Sequence, residues 1–554
     1  MKHKLFAGFA FIGALLLSSC NLVVSNSEKS DSTGGNSPIG SEVEPGHPST
    51  DSGDIPEIPS NPSTNPNTEP SKPNEQEPAE LVNAYKANTM KYNTRDINDQ
   101  YFGYGWPTLN PVGNQKVLVV PVEFKNGPKW TTSMLQRLDT AMFGAAEDTS
   151  WHSVRSYYEE SSYHQLHLSG EVLGLTSGTS VLSLNSFTID IAARQGESIV
   201  DKIISVQFQY SNCLSDAKRK EYDQDKDGYI DATLFVYSNS YGQNDEDQLA
   251  YWAWCSFLES DPSNESPTAN NYMWASYDFM DDGYGSYTST KPDAHTYIHE
   301  FGHILGLDDL YNGSYTGYNP VGQSEMQSYN VGDHGAYDKL ALNWATPYVV
   351  TGETTLDIRS SSEYGDFIVL PSKPLSSSAA FNPFDEYLLL EFYTPTGLNE
   401  KDAKNSYRER RKMYQIPGVR IYHVDTRLGR ITANGVESND LCDQVDVTYT
   451  DILGIMTGNT FYYPVASNSP SYSFTSENFK YLELMQACGR NLFKSGTSSY
   501  SDSQILFTKK STFTPTSAFF TKGNQTWNRG TNIGYTITID DITSEKATIS
   551  FHKA

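Results

Sequence analysis

Two periods of apolar residues alternate along the chain and mark its elements. "KVLVVPVEF", Lys116 to Phe124, is an almost unbroken apolar run that predicts a buried strand. In "WHSVRSYYEESSYHQLHLSGEVLG" a helical run through Tyr157 and Tyr158 gives way to the alternating "QLHLSGEV", which predicts a strand with one solvated face. A third strand is expected at "ATLFVYS", Ala232 to Ser238, and a helix from an N-cap at Asp293, after Pro292, to no further than Gly306. Strand, helix and strand in succession predict a mixed α/β layer. After Tyr348 the texture changes to "YLLLEFY", "VRIYHVD", "YTITIDDI" and "ATISF", alternating runs separated by Gly, Ser, Asn and Pro clusters. These predict an all-β, sandwich-like region, with a boundary near Pro347. No internal repeat of solenoid length is present.

The 554 residues are enough for two or three domains, and 37% apolar with 13% aromatic residues can bury large cores. The formal charge of −27, with no long basic block in the body, disfavours nucleic acid and anionic lipid headgroups as partners. From Asn21 to Glu80 there are ten prolines, eleven acids, two lysines and no aromatic residue. Such a segment cannot bury enough apolar surface to offset its conformational entropy, so a disordered tether is expected over 20–80, or a removable pro-segment of the same composition. The first residues, "MKHKLFAGFAFIGALLLSSC", have a short basic start, an apolar run from Leu5 to Leu17 and small residues before Cys20. They predict a secretion signal over 1–19, too short to span a membrane. Leu17, Ser18, Ser19 and Cys20 resemble the lipobox of bacterial lipoproteins. That resemblance implies cleavage before Cys20 and diacylation of its thiol, which would hold the chain on the outer face of a membrane. A plain signal peptide with a chance cysteine is the other reading.

The densest chemistry is in "HEFGHILGLDD", His299 to Asp309. Four residues apart on a helix, His299 and His303 share a face, and each can give a ring nitrogen to one zinc ion at about 2.0 to 2.1 Å. Glu300 lies about 100° round the helix, beside the metal, where a base can take a proton from water. Gly306 lets the chain leave the helix sharply, and Asp309 can return as a third ligand. Three protein ligands leave one position open, the catalytic pattern for zinc. A solvated helix with an unused His pair is the bland alternative.

His299, Glu300, His303, Gly306 and Asp309 form HExxHxxGxxD, which resembles the motif of the metzincin-like secreted metallopeptidases related to bacterial immune inhibitor A. The resemblance implies that His299, His303 and Asp309 hold zinc and that Glu300 is the general base. Asp308 stands where a proline is common in that family. "VLVVPVEF", "SVRSYYEESSY", "DQDKDGYIDATLFVYS", "YNVGDHGAYDKLALNWATPYVV" and "GVRIYHVD" are similar to further blocks, in order, across roughly residues 110 to 430; the tail from Gly435 is less recognisable. Metzincins also carry a methionine turn beneath the zinc. In "SEMQSYN", Met326 is the available methionine, whereas alignment on the following tyrosine puts Gln327 in that place. Met326 is expected to form the floor of the site, with Tyr329 as an oxyanion partner. Plain loop packing is the alternative for both.

"DQDKDGYID" places Asp223, Asp225, Asp227 and Asp231 at alternate positions with Gly228 between. With the backbone carbonyl of Tyr229, these oxygens can converge on a calcium ion at about 2.3 to 2.6 Å. Leu234 stands where an EF-hand has its bidentate glutamate, so a structural half-site is expected, or else an ion-free acidic turn. Of the four cysteines after Cys20, the pairs Cys213–Cys255 and Cys442–Cys488 or four buried thiols are both open. His295 is expected to cap or solvate the first helical turn, and His334 and His423 to make core hydrogen bonds.

The fold class expected is α+β: a metzincin-like zinc peptidase domain over 81–348 with a mixed sheet and an active-site helix, then an all-β, sandwich-like domain over 349–554. The activity expected is that of an extracellular, membrane-anchored zinc endopeptidase acting on proteins or peptides, with structural calcium. The competing readings are an adhesin or glycan-binding lipoprotein on an idle peptidase scaffold, and a zinc hydrolase with a non-peptide substrate.

Overall fold

A computed structural model describes residues 81–554 apart from internal stretches, chiefly 97–107, 187–203, 241–253, 285–289, 312–318, 376–379, 433–436, 443–459, 465–479 and 494–503. The predicted leader, Cys20 and the acidic segment to Glu80 lie outside the described residues. No helix among the described residues is long and apolar enough to cross a membrane.

Helices and sheets are mixed, as the two apolar periods predict. After a short strand, β1 (Ala84–Lys86), the run at Lys116 forms the twelve-residue β2 (Gly113–Phe124), buried along most of its length. Its neighbours are β3 (Leu166–Val172), β4 (Leu182–Leu184) and β5 (Thr233–Tyr237), all parallel to it; β6 (Trp254–Phe257) and β7 (Asn271–Ser276) complete the sheet, β6 antiparallel at the edge. Successive side chains point to opposite faces. Val117, Val119, Leu234, Val236, Met273 and Ala275 therefore enter one core, while Leu118, Val120, Val122, Phe235, Tyr272 and Trp274 enter another. In β3 the expected alternation is visible: Leu166, Leu168 and Val172 are buried and Ser169 is exposed.

Three helices cover the first of those faces: α1 (Thr132–Phe143), α2 (Val154–Ser161) and α3 (His295–Ile304). Ser153 and Ser156 close α2 with a reciprocal capping box. Tyr157 and Tyr158 of α2 and Tyr297, Ile298, Phe301 and Ile304 of α3 join the same apolar cluster. The site helix is thus held by its apolar face.

Two short helices follow, α4 (Met326–Tyr329) and α5 (Ala336–Ala341), and then a strand-rich region. Its larger sheet contains β8 (Pro347–Val350), β9 (Phe367–Pro371), β10 (Glu386–Tyr393), β11 (Gly418–Asp425) and β12 (Leu482–Leu484). Phe367, Val369, Leu389 and Val424 face Tyr337 and Leu340 of α5, and Ile368, Leu370, Leu388 and Ile421 face a four-stranded sheet that includes Tyr535–Ile542 and Lys546–Lys553. The expected boundary at Pro347 is crossed in both directions. From the N-terminal side, β1 pairs with β8. From the other, Asp402 accepts from the Gly332 N–H at 2.7 Å and Tyr407 stacks on His295 with ring centres 3.9 Å apart.

The cysteines match neither of the two open readings in full, the two pairs or four buried thiols. Cys213 is a buried free thiol and Cys488 an exposed one, so neither Cys213–Cys255 nor Cys442–Cys488 forms. The side chains of Cys255 and Cys442 lie outside the described residues.

Candidate metal centre

Helix α3 begins and ends through local hydrogen bonds. Ala294, not Asp293, is the N-cap residue and makes no side-chain cap. Asp293, one position earlier, accepts from the His295 N–H at 3.0 Å, which still satisfies one free donor of the first turn. At the other end Gly306 takes φ +87°, its N–H donates to the His303 carbonyl at 2.9 Å, and that of Leu307 donates to the Gly302 carbonyl at 3.0 Å. This paired reversal closes the helix and turns residues 307–309 back toward it.

The turn brings His299, His303 and Asp309 together, with one ligand atom of each within 4.8 Å of the others. His299 Nε2 is 3.1 Å and His303 Nε2 3.3 Å from the same oxygen, Asp309 Oδ1. The opposite ring nitrogens are held by main-chain carbonyls. Nδ1 of His299 is 2.9 Å from Met326 O and Nδ1 of His303 is 2.7 Å from Leu307 O. A carbonyl only accepts, so each Nδ1 carries the hydrogen and each Nε2 is the nitrogen that converges on Asp309. Asp308 is exposed while Asp309 is buried, in keeping with the expected ligand. His303 is the one imidazole with partial exposure, so the site opens on its side.

The electrostatics follow from burial and contact. Burial alone would raise Asp309, but the imidazoles, His303 foremost, hold it well below the usual carboxylate range. His303 would fall on burial; Asp309 instead raises it to about 10. The proton so held is one that a cation bound by Nε2 displaces. Burial pushes Glu300 up, with His299 and His303 opposing. Among the described residues Glu300 Oε2 and His303 Nε2 are buried without a hydrogen-bond partner. Two converging imidazole nitrogens, once His303 has given up that proton, with a carboxylate and an adjoining carboxylate oxygen, would fit a zinc ion with an open position.

The turn beneath uses both competing residues. Met326 packs its side chain into the main core, and its carbonyl orients His299. Gln327 offers its carbonyl to the Leu310 N–H at 3.0 Å, next to Asp309, and lays its side-chain amide against Gly302. Tyr329 lies at the end of the same turn, its ring under Arg410 with the guanidinium carbon 4.4 Å from the ring centre and its carbonyl accepting from that arginine.

In the acidic loop Asp223, Asp225 and Asp231 are brought together. Asp227 stands outside that triangle and accepts from the Tyr229 N–H at 2.8 Å. Tyr229 opens a two-residue strand paired with Thr268. Burial, then the neighbouring Asp225, raises Asp231 to about 7, and Gly228 makes the tight turn with φ +93°. Arg95 donates to Asp225 at 2.5 Å.

Two histidines differ from expectation. His295 is fully buried, stacked between Trp151 and Tyr407 and paired with Asp293, because the strand-rich region closes over the first turn of α3. His334 is buried, and among the described residues neither of its ring nitrogens has a hydrogen-bond partner. His423 does make a core contact, to Glu386 at 3.1 Å. Two further features have no counterpart among the expected site residues: Tyr311, whose ring lies nearly parallel to that of His299 with centres 6.4 Å apart, and the cluster Glu325, His334 and Asp338. Tyr311 stands two residues past Asp309, within reach of any reading of the motif, but the cluster has no sequence spacing that announces it. Comparison with family models and with curated proteins gives no match.

Proposed function

We propose that the chain is a zinc-dependent endopeptidase of the metzincin-like, immune inhibitor A type, with a sandwich-like C-terminal region. On this reading it is exported, anchored through a lipidated Cys20, and stabilised by calcium at the Asp223 loop. The observation that carries the reading is the convergence of His299 Nε2 and His303 Nε2 on Asp309 Oδ1, beside the buried Glu300, whose Oε2 has no hydrogen-bond partner among the described residues. A zinc ion held there supplies a Lewis acid that makes water acidic near pH 7 and polarises a carbonyl. Glu300 takes the proton from the attacking water and returns it to the leaving amine. Its burial favours the protonated carboxyl, which keeps the proton at hand between the two transfers. Met326 O and Leu307 O fix both imidazoles, so the ligands need not reorganise during the reaction. Burial of the set under the α3 core keeps bulk water from all but the His303 side.

An idle scaffold with a binding role would have no use for Glu300, whose buried oxygen is costly without a proton to handle. The test is cleavage of casein by the purified protein with and without a chelator, beside the variant Glu300→Gln. The variant should keep its metal and lose activity by at least about 100-fold, the usual weight of a general base. A Glu300→Gln protein that still digests casein would sink the assignment.

A further inference from the structure

Behind the first centre lies a second set of ligand-type groups that the peptidase reading does not use. Glu325, His334 and Asp338 each place a ligand atom within 4.8 Å of the others, and all three are at most 2% exposed. They come from separate short elements: Glu325 caps α4, His334 lies in the loop before α5, and Asp338 sits in the first turn of α5. Nδ1 of His334 is 3.4 Å from Asp338 Oδ2. Glu325 uses one oxygen, Oε2, to accept from the Gln327 N–H at 3.0 Å. Apart from the contact between the Glu325 and Asp338 carboxyls themselves, its other oxygen, Oε1, has no hydrogen-bond partner among the described residues, and neither do Asp338 Oδ2 and both nitrogens of His334.

Nearby cations are committed elsewhere. Arg420 pairs with Glu391 at 2.8 Å and donates to Ser324 O, and Lys339 pairs with Asp333 at 2.6 Å. The ring of His334 is surrounded by Tyr157, Tyr158 and Trp344, which supply no charge. Two carboxylates this close and this buried need a compensating positive species. A proton shared between the acids would leave the imidazole without any partner, whereas burial keeps His334 neutral and its lone pair available. Two carboxylates and one imidazole are the donor set of a borderline divalent ion.

We propose that Glu325, His334 and Asp338 form a second divalent transition-metal site, distinct from His299, His303 and Asp309, that takes zinc or manganese. Glu325 adjoins Met326, whose carbonyl orients His299, so a metal there ties the loop from α4 to α5 in the position that supports the first centre.

Zinc, manganese and calcium are counted in the full chain by mass spectrometry, with calcium assigned separately to the Asp223 loop. The full chain should hold two equivalents of transition metal, the double variant His299→Ala/His303→Ala one, and Asp338→Asn one. Full chain with a single equivalent, lost entirely in His299→Ala/His303→Ala, overturns the second site and leaves the peptidase reading standing. Since Asp338→Asn alters a core, anomalous diffraction at the zinc edge from crystals of the unaltered protein grown with zinc gives an independent answer. A peak between Glu325, His334 and Asp338 supports the site, and a peak confined to the first centre overturns it.

Discussion

The carbonyl oxygen of Met326 lies 2.9 Å from Nδ1 of His299, while the Met326 side chain points into the core shared with α3. The main chain therefore orients the proposed zinc ligand and the thioether only fills space. Met326→Leu should keep full zinc content and cost less than about 1.5 kcal/mol, and Met326→Ala should cost roughly 2 to 5 kcal/mol through the cavity left behind. Zinc content and thermal unfolding of both variants check this. Loss of zinc from the leucine variant would show that the sulfur itself has a role.

Gly302 and Gln327 share a contact that a side chain at position 302 would disturb. A Cβ built there would stand 2.8 Å from the side-chain amide carbon of Gln327, which is fully buried and would have to shift within the core. Helix propensity favours alanine over glycine by up to about 1 kcal/mol, but overpacking costs roughly 1 to 3 kcal/mol. Gly302→Ala should therefore lower stability, and Gln327→Ala in the same chain should restore most of the loss. Additive losses in a double-mutant cycle by chemical denaturation would disprove the contact.

Much of this centre could be read from residue order, because its candidate ligands lie within eleven residues and their convergence follows from one helix, one glycine and a short return. The strands at Lys116 and Ala232 were legible for a similar reason: burial on both faces demands unbroken apolar runs, and the chain supplies them. Main-chain partners were not legible, since Met326 O and Leu307 O are carbonyls that any residue would offer. His295 was misjudged because its partners Trp151, Asp402 and Tyr407 lie more than a hundred residues away in either direction. The cluster of Glu325, His334 and Asp338 was hidden for another reason: its members lie within fourteen residues but are drawn together only by the turn of the loop from α4 to α5, where the Met326 N–H donates to Asp333 O at 3.4 Å.

The acidic loop places Asp223, Asp225 and Asp231 together, and among the described residues Arg95 is the one cation paired with them. On the proposed reading a calcium ion relieves their mutual repulsion, so EGTA should lower the unfolding temperature of the full chain by several degrees. In Asp223→Asn/Asp231→Asn the loop should no longer respond to calcium or EGTA, while zinc content stays unchanged. Equal unfolding temperatures for the unaltered protein with calcium and with EGTA would remove calcium from the account.

His295 is a buried cation whose environment is built to keep it charged. Nδ1 lies 3.0 Å from Asp293, Nε2 lies 3.6 Å from Asp402, and the ring is stacked between Trp151 and Tyr407. Burial alone would lower its pKa, yet Asp293 and then Asp402 raise it from 6.5 to about 9. The folded state thus binds this proton more tightly than the unfolded state does. The resulting stability is fully present below about pH 6.5 and is lost as pH rises through 9, amounting to something on the order of 3 kcal/mol. Lysines and tyrosines also titrate on the alkaline side, so the decisive quantity is the difference between the unaltered chain and His295→Gln. The variant should be less stable at pH 6, because two buried carboxylates lose their cation, and the gap should narrow steadily toward pH 9.5. Denaturant melts of both proteins at half-unit steps measure that gap, and a constant difference across the range would mean that His295 is neutral in the folded protein.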